Sequence, residues 1–172
     1  MRAAVGVDPT PNTPAEAKKA LDTHLPKVLR GRRLEDVGWR RPDPLTLLLP
    51  LEATRSTGAV DTYVLKLGFG YYPDWPPSAQ FVNPITGKYE FPADLASLPF
   101  IEGNQEIHVH PNYPPVVQLI CASVTLEFYL IRHQVNPEHL WDPDKQTFAS
   151  TINAIKFGLR LPYYKGRQGT SA

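Results

Sequence analysis

Apolar and polar positions divide the chain into a helix, a set of strands, a proline-broken middle and a second helix. The first element opens at Thr13-Pro14-Ala15-Glu16. A hydroxyl at the cap, proline at the first helical position and glutamate three residues after the cap mark a helix start. Ala17, Ala20, Leu21 and Leu25, with His24 beside them, recur at helical spacing and predict a helix to about residue 25. The basic run around Gly31 ends it. A short strand at 34–39 and a compact apolar strand at 45–51 follow. Residues 61–69 alternate Tyr63, Leu65, Leu67 and Phe69 with Thr62, Val64, Lys66 and Gly68, the pattern of a half-buried strand. Arg55-Ser56-Thr57-Gly58 supplies a turn, so the pattern predicts a helix followed by an antiparallel meander.

The middle is governed by proline. The chain has 19 prolines, and each removes a backbone donor and fixes φ, so they break helices and central strands. Residues 71–81 form a proline-rich crossing with aromatic anchors that leads into a fourth strand at 79–82. Residues 83–103 read as loop, and 105–109 as a brief strand. The apolar stretch 116–132 fits a strand through Val124, Leu126, Phe128 and Leu130, and a helix through Val124, Phe128 and Ile131. Asp142-Pro143 opens a last helix with Phe148, Ile152, Ile155 and Leu159 on one face, stopped by Pro162. The expected organisation is a flexible leader over 1–12, one α+β domain over 13–161 and a polar tail over 162–172.

Charge narrows the partners. A net charge of +1 gives no basic surplus for nucleic acid, and no apolar run is long enough to cross a membrane. The first 14 residues lack the apolar core of a secretory signal, so a soluble, cytoplasmic protein is expected. The single cysteine, Cys121, cannot form an internal disulfide. It reads either as a small buried hydrophobe or as a nucleophile. His108 and His110 alternate on one strand face, a spacing able to ligate metal, but no cysteine or carboxylate completes the set. No metal and no organic cofactor are therefore expected.

Pro76-Pro77, Phe81, His110-Pro111-Asn112, Cys121 and Trp141-Asp142-Pro143 stand in an order that resembles the ubiquitin-conjugating enzymes. Tyr72-Pro73 before them and the helical run 147–159 after them extend the resemblance over most of 13–161. The connection from Phe81 to His110 and the interval from Cys121 to Trp141 are longer than is usual in that family, and Ala122-Ser123 stands where Leu-Asp is common. The trimmed pattern resembles prokaryotic relatives found in anti-phage defence operons.

The resemblance implies the ubiquitin-conjugating fold: an N-terminal helix, a four-stranded antiparallel meander and a C-terminal helix. It implies an enzyme that carries a ubiquitin-like modifier as a thioester on Cys121 and passes it to a target amine. Asn112 becomes the oxyanion donor or a shaper of the loop, and His110 a structural hydrogen-bonding residue. Trp141 becomes a wall beside the cysteine. Asp142 either favours deprotonation of the incoming lysine or caps the next helix. The implied partners are the modifier, a target protein and an activating enzyme, the last docked on the helix of residues 15–25. The rival expectation is a non-catalytic relative that binds a modifier with Cys121 buried.

Overall fold

The computed structural model describes residues 3, 4 and 6–170. Helix α1 spans Pro14–Leu29. Its start is the expected capping box: the Thr13 hydroxyl accepts from the Glu16 N–H, and the Glu16 carboxylate accepts from the Thr13 N–H. The helix runs a turn beyond the expected end because the next apolar position, Leu29, is buried along with Ala17, Leu21 and Leu25. Pro26 sits inside it, and Arg30 ends it with a left-handed backbone.

The first strand differs from expectation. Residues 34–39 hold a single 3-10 turn, Glu35–Val37, and β1 is Arg40–Asp43. Strands β2 (Thr46–Thr54), β3 (Val60–Gly68) and β4 (Ser78–Val82) complete a four-stranded antiparallel sheet in the order β1-β2-β3-β4. Register puts the apolar positions on one face: Leu47 lies opposite Leu67, Leu49 opposite Leu65, Leu51 opposite Tyr63, and Phe81 opposite Leu65. Because side chains alternate along a strand, this one face meets α1 and the last helix. All of these residues are buried.

The region read as loop contains β5, Pro99–Ile101. It pairs with β8, Tyr164–Arg167, in the stretch expected to be a polar tail. Tyr164 is buried, and its hydroxyl donates to Asp61 at 2.5 Å, which fixes this segment against β3. Strands β6 (His108–His110) and β7 (Leu119–Cys121) form an antiparallel hairpin. In the ambiguous stretch 116–132 the helical reading holds: Leu126–Leu130 form the short helix α2, so Leu126, Phe128 and Leu130 do not alternate in a strand, and β7 lies ahead of them. Helix α3 is Phe148–Gly158. Its cap is Thr147, whose hydroxyl accepts from the Ala149 N–H at 3.3 Å; Asp142, the expected cap, lies a turn upstream and its carboxylate accepts from the Asp144 N–H at 3.0 Å. Among the described residues, no helix is long and apolar enough to cross a membrane.

Candidate active site

A proline-led segment, the crossing before β4, helps fix the ground on which Cys121 stands. In the crossing before β4, Tyr72 is fully buried and its hydroxyl accepts from the Phe148 N–H at 3.2 Å. That leaves the hydroxyl proton for His24 Nδ1, 2.5 Å away on α1. Burial, with Lys27 nearby, holds the His24 imidazole below its ordinary range, consistent with an accepting nitrogen. The Trp141 indole N–H donates to the Pro73 carbonyl at 2.8 Å. The crossing therefore joins α1, the start of α3 and Trp141.

Strand β4 is an edge strand, and its outward backbone groups need partners. Side chains supply them. The fully buried Gln118 donates its amide to the Phe81 carbonyl at 2.8 Å and accepts from the Phe81 N–H at 2.8 Å. Glu127 accepts from the Ala79 N–H at 3.2 Å and from the Ser78 hydroxyl. Burial pushes the Glu127 carboxyl up to about 7, against the opposing hydrogen bonds from Ser78 and Ala79. Gln118 immediately precedes β7 and Glu127 lies on α2, so these two residues pin both ends of the cysteine segment to the sheet. Thr125 completes the arrangement by donating to the Ile120 carbonyl at 2.7 Å. Thr151 on α3 donates to the Val124 carbonyl at 2.7 Å.

Cys121 ends β7 half-buried, with Ile120 fully buried on the opposite face of the strand. It lines an open cleft of about 1350 Å³. One wall is His108 and the loop before it; the other is the segment 133–142 with Trp141 and Asp142. Tyr129 holds that second wall. Its hydroxyl accepts from the Trp141 N–H at 2.9 Å and donates to the Ser123 carbonyl at 2.8 Å. Lys145 pairs with Asp142 at 3.2 Å. Burial alone pushes the Cys121 thiol up; no neighbouring charge offsets it.

The expected site residues divide into two groups. Cys121, Trp141 and Asp142 share the cleft, whereas His110 and Asn112 do not line it. Register explains the separation. His108 pairs with Cys121 and His110 with Leu119, and the same register continues to the Tyr113–Val116 bridge. Asn112 thus lies four positions along the hairpin from the cysteine's partner, about 13 Å at strand rise. It is exposed at the hairpin tip. This geometry suits loop shaping better than donation to an oxyanion at Cys121. His110 packs its ring 5.2 Å from that of Tyr113, and burial, with His108 beside it, lowers its imidazole. The Pro111 carbonyl accepts from the Tyr89 hydroxyl at 2.6 Å, which anchors the tip to the long loop.

Sequence reasoning missed His108 as a neighbour of Cys121 and missed the supporting roles of Gln118, Thr125, Glu127 and Tyr129. The available signal was the presence of glutamine, threonine and glutamate inside an otherwise apolar run, since such groups are buried only with partners. Among the described residues, no group of three or more histidine, cysteine or carboxylate side chains is placed to hold a metal ion. No family model, no curated protein and no solved structure matches the chain.

Proposed function

We propose that this protein is a conjugating enzyme of the ubiquitin type, with the ubiquitin-conjugating fold, that carries a ubiquitin-like modifier as a thioester on Cys121 and transfers it to a target amine. The observation that carries this reading is the placement of the only cysteine. It ends a strand after a helix and a four-stranded meander, lies half-open in a large cleft walled by Trp141, and has α3 pinned behind it. That order and setting agree with the order of landmarks in the sequence.

The chemistry needs little more. A thiolate attacks the incoming thioester readily and leaves readily when an amine attacks in turn. The cleft has room for an extended peptide end, and Cys121 lines it. The partners under this reading are a ubiquitin-like modifier, an activating enzyme that meets the exposed face of α1, and a target protein. Under this reading the system works in a prokaryotic cytoplasm, in an anti-phage defence setting.

Two observations favour a second reading, a non-catalytic binding protein of the same fold. The Cys121 thiol is pushed up by burial, and Asn112 stands apart from it. Protein drawn from its native host into acid without reductant separates the two. Under the first reading a fraction migrates at higher mass, collapses on adding dithiothreitol and is missing from Cys121→Ala. Absence of that species, with the activating partner expressed, supports the binding protein.

A further inference from the structure

Opposite Cys121 in the β6–β7 pairing stands His108, and both side chains line the same cleft. Residues directly opposed in an antiparallel pair have Cβ atoms about 4.5–5.5 Å apart and project from the same face. A side-chain rotation alone brings an imidazole nitrogen to a thiol across that gap. His108 is exposed, so its ring turns without disturbing the core. Backbone pairing on β6 and β7 holds the two residues in this register, and Gln118 anchors β7 to the sheet just before the cysteine.

We infer that His108 is the proton acceptor for Cys121, a catalytic base placed by strand register. The inference rests on the proposed conjugating activity. In loading, Cys121 Sγ bonds to the carbonyl carbon of the donor thioester, and the bond from that carbon to the donor sulfur breaks. The thiol proton passes to the His108 imidazole and on to the departing donor thiolate. In discharge, the target amine nitrogen bonds to the same carbon and the bond to Sγ breaks. His108 takes the ammonium proton and returns it to Sγ. No electrons are gained or lost overall.

A thiol held up by burial, with no cation beside it, is where a base adds most, because little thiolate exists without one. The charged and titratable surroundings of His108 are compatible with that task. His110 follows on its own strand, with ring centres 6.2 Å apart, and Glu106 precedes it on the loop. Across the cleft stand His133, Glu138 and His139, together with the Asp142–Lys145 pair.

The test is the pH profile of Cys121 alkylation by iodoacetamide, read by intact mass, for the full chain and for His108→Gln and His108→Asn. The melting temperature of each variant confirms that it is folded. The wild type should react faster than both variants at neutral pH, with a pH profile of different shape. Both variants should react about tenfold more slowly at pH 7, because less thiolate forms without a base. Profiles that superimpose overturn the inference. If they superimpose while a reductant-sensitive adduct still forms on Cys121, the conjugating reading survives and His108 is not its base. A changed profile with no adduct upholds the proton transfer and overturns the conjugating reading.

Discussion

Single side chains decide how the cleft is held. Tyr129 is a case in which one hydroxyl serves two backbone groups, the Trp141 N–H and the Ser123 carbonyl. Burial pushes its phenol up to about 12, so it stays protonated and able to donate at any working pH. Tyr129→Phe keeps the ring contact with Trp75, whose ring centre is 5.2 Å away, but leaves the Trp141 N–H without its partner. An unsatisfied buried donor costs about 1–3 kcal/mol, and chemical denaturation should show a loss in that range. Legibility at this scale was uneven. Cys121 and Trp141 stood out because single rare residues in a fixed order are visible in a sequence. His108 did not, because its meaning depends on which residue pairs with it across a hairpin, and register is set by turn geometry and long-range packing. Asp142 was misplaced as a helix cap because aspartate before proline imitates a helix start, whereas Thr147 performs that role.

Elements show where local pattern suffices. Helix α1 announced itself through its capping box, and Thr13→Ala should lower stability by about 1 kcal/mol in thermal or urea unfolding. Helix α3 and strand β3 followed from apolar spacing. Strand β8 was missed because Lys165, Gly166 and Arg167 carry no strand signal; the segment pairs with β5, and its buried aromatic, Tyr164, is satisfied by a residue about a hundred positions away. Helix α2 carries the most testable electrostatic feature. The Glu127 carboxyl is held up to about 7, above the ordinary 4.5. Below the ordinary value it is neutral in both folded and unfolded chains, and its contribution to stability is full. Between about 4.5 and 7 the unfolded chain releases the proton while the folded chain retains it, so stability falls as pH rises. The total loss is on the order of 3 kcal/mol. Glu127→Gln should flatten that dependence while its amide still serves Ser78 and Ala79. Denaturant midpoints measured from pH 4 to pH 8 check this; a slope unchanged in the variant would assign the dependence to another group.

At the scale of the whole molecule, the meander was readable because both faces of the sheet differ in polarity. The closing of the cleft region against α3 was not, because it depends on close approach between distant segments. Gly158 marks that approach. A Cβ there would lie 2.6 Å from Ile107 Cγ2 and 3.2 Å from Ile101 Cδ1. Gly158→Ala gains about 1 kcal/mol of helix propensity but forces branched side chains apart, at about 1–3 kcal/mol. The expected net result is a lower melting temperature, with the loss concentrated in hydrogen-exchange protection of β5 and the loop before β6. Under the proposed function, this assembly presents Cys121 to a thioester. That role is tested most directly by replacing Cys121 with lysine in the native host and taking the intact mass of the purified protein. The expected result is a stable isopeptide adduct of one modifier mass, absent from Cys121→Ala. An unmodified Cys121→Lys protein, with the activating partner present, would contradict it.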